Sequence, residues 1–107
     1  MKTKVISFLT EKIEKKYNIT FLQTPRYGDQ TGYKAVYRLR MKGKGHREVL
    51  ETLFRTFNVA DLLPSDFSAR FMMTGDIIRI EEENRSCYYR LESGGWRKLK
   101  QGLTHSF

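Results

Sequence analysis

Between residues 33 and 42 the side chains alternate with a period of two. Tyr33, Ala35, Tyr37, Leu39 and Met41 fall on one side, and Lys34, Val36, Arg38, Arg40 and Lys42 on the other. This pattern predicts a strand with one buried and one solvated face, as in an antiparallel sheet. It also separates tyrosines from cations. A stacking platform for nucleic acid needs both on one side, so Tyr33 and Tyr37 are assigned to the core. A longer period governs residues 3–17. There Val5, Ile6, Leu9, Ile13 and Tyr17 form one stripe, with Lys12, Lys15 and Lys16 opposite. That spacing predicts an amphipathic helix, stopped at Asn18 and followed by a short strand over residues 19–22.

Pro25, Gly28, Asp29 and Gly32 mark residues 24–32 as a loop, and Gly43-Lys44-Gly45 ends the long strand. Val49, Leu50, Leu53, Phe54 and Phe57 then make the stripe of a second helix over residues 46–57, with Asn58 as its cap. Residues 59–68 read as a loop pinned to the core by Leu62, Leu63 and Phe67. Gly75-Asp76 is a turn, residues 77–82 a strand, and Glu83-Asn84-Arg85 a hairpin turn. The partner strand, residues 86–91, sets Tyr88 and Arg90 against Cys87, Tyr89 and Leu91. Residues 96–100 close the meander, but Trp96 and Leu99 break the alternation, so the faces of this strand stay unassigned. The tail from Gln101 reads as loose. The expected fold class is α+β: two helices packed on a small curved antiparallel sheet with a C-terminal three-stranded meander.

Length and cysteine usage narrow the picture. The chain has 107 residues, the size of one domain. The expected organisation is a helical extension over about residues 1–20, a core over about 33–99 and the tail 101–107. Cys87 is the only cysteine, so no intrachain disulfide forms, and a cytoplasmic location is expected. The basic start Met1-Lys2-Thr3-Lys4 precedes a short apolar stretch and then Glu11 and Glu14, which does not make a signal peptide. No apolar run approaches the roughly 20 residues that span a bilayer, so no membrane partner is expected.

Charge adds a direction. The net charge is +8 and unevenly spread: residues 21–47 carry seven basic groups against one acid, whereas residues 48–76 carry two against five. Such a field attracts polyanions or an acidic protein surface. Lys34, Arg38, Arg40 and Lys42 run along about 27 Å of strand, at 3.3 Å per residue. Arg79, Tyr88 and Arg90 would join them if the strands pair in order. This set is the candidate site for a partner or nucleic acid. Arginine forks fit phosphate and carboxylate alike. Charged edge strands also block aggregation, an explanation that needs no ligand.

Catalytic chemistry has little to stand on. Cys87, His46 and His105 lack paired metal-ligand spacing, so no metal or other cofactor is expected. Cys87 reads as a small buried hydrophobe. Gly43-Lys44-Gly45 lacks the spacing and hydroxyl of a phosphate loop. Asp66 and Asp76 flank turns and are assigned to backbone hydrogen bonds. No acid–base pair or nucleophile can be named, so no enzymatic activity is expected.

Several ordered segments resemble the YodL-like domain family. Residues 50–58, ending in Phe57-Asn58, resemble its helix. Pro64-Ser65-Asp66-Phe67 resembles its Pro-x-Asp-Phe loop. Met73-Thr74-Gly75-Asp76-Ile77-Ile78 resembles its Ser-Val-x-Asp-Val-Val stretch. Tyr88-Tyr89 with Gly95-Trp96-Arg97-Lys98-Leu99 resembles its ending. The likeness runs from about residue 33 to 99 and leaves the N-terminal helix outside. It implies an interaction module carried by phages, plasmids and conjugative elements. The leading expectation is therefore a non-enzymatic accessory protein that binds and modulates a host protein or ribonucleoprotein, such as an anti-CRISPR-like counter-defence inhibitor. The alternative is a module that binds RNA or DNA directly through the basic sheet face. Oligomeric state is not legible.

Overall fold

The structure is a computed structural model that describes residues 13–100. Among the described residues it is an α+β fold: one five-stranded antiparallel sheet with one α-helix against it. The strands are β1 (Lys15–Gln23), β2 (Lys34–Gly43), β3 (Ile77–Glu82), β4 (Arg85–Glu92) and β5 (Gly95–Lys98). Helix α1 covers His46–Thr56, and a 3-10 turn covers Ala60–Leu62. Spatial order is β2-β1-β3-β4-β5, so β1 is an inner strand between β2 and β3, and α1 carries the chain over it from β2 to β3. The meander of β3, β4 and β5 is as expected.

The N-terminal helix does not hold where it can be checked. Residues 1–12 of it lie outside the described residues, and Lys15, Lys16 and Tyr17 begin a strand instead. The reason is visible in hindsight. Tyr17, Ile19 and Phe21 alternate with a period of two, and all three are buried. The helical stripe predicted Ile13 in the core, whereas it is exposed. The short strand foreseen over residues 19–22 is therefore a nine-residue inner strand. The tail from Gln101 also lies outside the described residues.

The core is the layer between α1 and one face of the sheet. Tyr17, Ile19 and Phe21 of β1, Ile78 and Ile80 of β3 and Leu91 of β4 meet Val49, Leu50 and Leu53 of the helix and Phe57 just after it. Phe57 stands edge-on to Phe21 and Tyr37, with ring centroids 5.1 and 5.7 Å apart, and tilts against Phe67 at 4.9 Å. Such pairs add to the area term of burial. Two residues expected in the core face out, Phe54 of the helix stripe and Leu62 of the loop, while Leu63 and Phe67 pin the loop as expected. Asn58 closes the helix by donating its side-chain amide to the Phe54 carbonyl at 2.8 Å. Gly43 permits the close approach of β2 to α1, since a Cβ there would lie 2.7 Å from Val49 Cγ2.

One irregularity changes the reading of β2. Phe21 pairs with Tyr37 but Leu22 pairs with Ala35, so Val36 is a bulge that the partner strand does not match. Beyond it the alternation flips. Tyr37, Leu39 and Met41 pack on the core as predicted, and so does Val36, whereas Ala35 is exposed. Tyr33 precedes the strand and is half-buried outside the core cluster.

Candidate functional site

Strand register places the predicted residues. Directly opposed positions share a face, and the row Arg38–Thr20–Arg79–Tyr88 runs across β2, β1, β3 and β4 on the face without the helix. Four strands at the usual spacing put about 14 Å between its ends. The next rows are Arg40–Asn18–Glu81–Ser86 and Leu22–Ile77–Arg90–Arg97. Lys42 lies opposite Lys16 on the same face. Six of the seven predicted residues, Arg38, Arg40, Lys42, Arg79, Tyr88 and Arg90, are thus brought together. Lys34 is not. The bulge at Val36 takes it off this face, and it lines a depression with Val36 and Arg70 instead.

The charges on this face differ in how they are held. Arg38, Arg40 and Lys42 are exposed on the edge strand and make no ion pair with a described residue. Arg79 is held in place: it donates to Glu81 at 2.9 Å and Ser86 at 3.4 Å, and its guanidinium lies 5.8 Å from the Tyr88 ring centre. Arg90 and Arg97 share Glu92, at 3.3 and 2.9 Å. The positive field is therefore strongest toward β2. Tyr88 is the aromatic that the sequence pattern could not weigh, because its place beside Arg79 depends on pairing between β3 and β4.

Sequence reasoning missed a polar clasp on the other face. His46 opens α1. Its Nδ1 lies 2.6 Å from the Tyr89 hydroxyl and its Nε2 lies 2.6 Å from a Glu82 carboxylate oxygen. A carboxylate only accepts, so Nε2 donates to Glu82, while Nδ1 and the Tyr89 hydroxyl share the second hydrogen bond. The Tyr89 phenol is pushed up to about 12 by burial. The His46 hydrogen bond holds the Glu82 carboxyl below its ordinary value. Both ring nitrogens are engaged within the protein, so the trio ties the helix to β3 and β4 rather than serving a substrate. Its residues stand 36 and 43 positions apart, which no local pattern reveals.

The clasp has a pH signature. A carboxyl whose folded pKa is depressed stabilises the fold above its unfolded pKa, and that stability is lost as pH falls through the folded value. Melting temperature is therefore expected to drop below about pH 4.5, near the ordinary carboxyl value, and less steeply in Glu82→Gln than in the parent chain. Equal slopes from pH 6 to pH 3 would remove this role for Glu82. His46→Ala is expected to cost about 1–3 kcal/mol at neutral pH through the two orphaned partners.

A second polar cluster sits at the opposite end of the sheet. Asp76 is buried and accepts from the Met73 N–H at 2.9 Å, Gln23 Nε2 at 3.0 Å and Arg70 Nη2 at 3.4 Å. Burial pushes its carboxyl up despite these donors. Asp66, expected to bind backbone, accepts the Tyr37 hydroxyl at 2.6 Å. Cys87 is half-buried rather than buried. Among the described residues no group of three or more His, Cys, Asp or Glu side chains could hold a metal ion, and no helix is long and apolar enough to cross a membrane.

Comparison with known proteins agrees with the resemblance and widens it. The YodL-like domain matches residues 7–101, so the match begins well before residue 33 and includes most of the N-terminal segment. The uncharacterized protein YodL of Bacillus subtilis (strain 168) is 49% identical over 86 residues, covering 79% of this chain and 83% of the relative. No solved structure is significantly similar.

Proposed function

This chain belongs to the YodL-like domain family, and we propose that it is a binding module without catalytic chemistry that lays its helix-free sheet face on a single-stranded nucleic acid. One observation carries this reading: Tyr88 stands beside Arg79 and in the same plane of side chains as Arg38, Arg40 and Lys42. Stacking and phosphate contacts then come from one surface, which is how sequence-tolerant single-strand binders work. The exposed cations of β2 supply the field, and the restrained Arg79–Tyr88 pair supplies a pre-set surface for a base.

A second reading keeps the same face and changes the partner. The exposed cations of β2 also suit an acidic patch on a host protein or ribonucleoprotein, as a counter-defence inhibitor from a mobile element would need. Tyr88 separates the two, since an acidic protein patch has no base to stack.

The test is fluorescence anisotropy with labelled RNA and DNA strands at about 50 and 200 mM salt. Binding is expected to weaken steeply with salt. Arg38→Ala with Arg40→Ala is expected to reduce the slope of log K against log salt by about 1.4, roughly 0.7 per phosphate contact on a single strand. Tyr88→Ala is expected to cost about 1–3 kcal/mol of affinity. No binding at the lower salt, or an unchanged slope in the double variant, would overturn the nucleic-acid reading. Recovery of one acidic host protein, lost on Arg38→Glu with Arg40→Glu, would then support the second.

A further inference from the structure

The basic face does not end at β4. Arg90 also lines a cavity of about 510 Å³ at the end of the sheet, between the loop that joins β1 to β2 and the segment leading into β3. Arg70 enters the same cavity from that segment. The volume is within the range of small-molecule sites and well above what a bare anion fills.

The lining offers two kinds of group. The first is guanidinium. Arg70 donates to the Thr24 carbonyl at 2.8 Å and, at 3.4 Å, to Thr24 Oγ1 and Asp76. Its Nε–H is buried and finds no acceptor among the described residues. Arg90 donates through Nε to Glu92 at 3.3 Å, and the five donors of its fork exceed that partner. The second kind is hydroxyl oxygen. Tyr33 gives its proton to the Gly75 carbonyl, Thr24 gives its own to the Arg26 carbonyl at 2.7 Å, and Tyr27 shares one with Thr74 at 2.9 Å. The remaining lone pairs of Thr24, Tyr27 and Thr74 accept. The two carboxylates in the lining are turned to protein donors, Asp76 as described and Asp29 to the Arg26 N–H at 3.2 Å.

A ligand that suits this lining carries an anion for the guanidiniums and hydroxyl or amino donors for the tyrosine and threonine oxygens. A mononucleotide has both: phosphate at one end, sugar hydroxyls and base N–H groups at the other. We infer that the cavity receives the terminal nucleotide of a strand lying on the basic face, with its terminal phosphate on Arg90 and Arg70. The inference rests on the nucleic-acid reading of that face, with Arg90 as the residue the two share.

The experiment uses the full chain and two probes. Uridine 5′-monophosphate, uridine and inorganic phosphate are titrated into isotope-labelled protein while the amide signals are followed. In parallel, anisotropy compares one oligonucleotide with hydroxyl, 5′-phosphate or 3′-phosphate ends. The monophosphate is expected to move the amides of Tyr27, Gly28, Thr74 and Gly75 more than uridine or phosphate alone does. One phosphorylated end is expected to bind about tenfold tighter than the hydroxyl end, the effect of one charged contact of roughly 1.4 kcal/mol. Which end gains identifies the polarity of the strand. Arg90→Gln is expected to erase that gain.

Unmoved amides overturn the inference. So does an oligonucleotide that binds equally with all three ends, or a gain that survives Arg90→Gln. If no oligonucleotide binds but the monophosphate moves these amides, the face reading has failed, and the cavity is a free-nucleotide site rather than a strand-end site.

Discussion

Phe57→Ala is expected to cost about 3–5 kcal/mol, the usual range for a fully buried ring. Phe57 is wholly inaccessible, and Phe21, Tyr37 and Phe67 surround its ring. Truncation leaves a void bounded by strand on one side and loop on the other, which cannot collapse together without moving both. Domains of this size have only about 5–15 kcal/mol in hand. The melting temperature should therefore fall by about 12 °C or more. Phe54→Ala is the internal control. It lies three residues earlier, in the last turn of α1, but is 45% exposed. Its loss is expected to cost less than about 1.5 kcal/mol by area. Chemical denaturation of both variants checks the contrast. Equal losses would mean that the ring cluster around Phe57 is not the centre of the fold.

The second large effect is expected at Asp76. Asp76→Ala removes the acceptor shared by Met73, Gln23 and Arg70. It leaves a backbone donor, an amide and a cation without their partner, at a cost of about 3–5 kcal/mol. Asp76→Asn keeps the shape and one acceptor oxygen, so it should cost less. The pH dependence has the opposite sign to that of Glu82. Burial raises the Asp76 carboxyl above 3.8. A group with a raised folded pKa contributes stability below its unfolded pKa and loses it as pH rises through the folded one. The advantage of the parent chain over Asp76→Asn should therefore shrink from pH 4 upward. Urea melts across that range give the answer, and an advantage that grows with pH would contradict the assigned burial.

The sequence and the structure part company at identifiable residues. The second helix, the meander and the faces of β4 were legible because their periods are unmixed. Val49, Leu50 and Leu53 repeat at helical steps, and Tyr88 and Arg90 alternate with Cys87, Tyr89 and Leu91. The inner strand β1 was not, because Ile13 and Tyr17 stand four apart and Tyr17, Ile19 and Phe21 two apart. Tyr17 serves either period, and only the pairing of β1 with β2 and β3 decides between them. Lys34 was misplaced because a bulge leaves no mark in a run that alternates on paper. Arg38, Arg40 and Lys42, beyond it, kept their predicted face. The His46 clasp, the Asp76 cluster and the cavity beside Arg90 join segments distant in sequence, so no window along the chain contains them.

The placement of β1 between β2 and β3 also has a kinetic meaning. Its neighbour β3 lies more than fifty residues downstream. β3, β4 and β5 join through tight turns and can assemble locally, whereas β1 gains its second partner only after a long loop closes. A nascent chain emerging from the ribosome therefore holds β1 with one bare edge until Ile77–Glu82 has been made. That interval is when this strand, with Ile19 and Phe21, is open to pairing with the wrong chain.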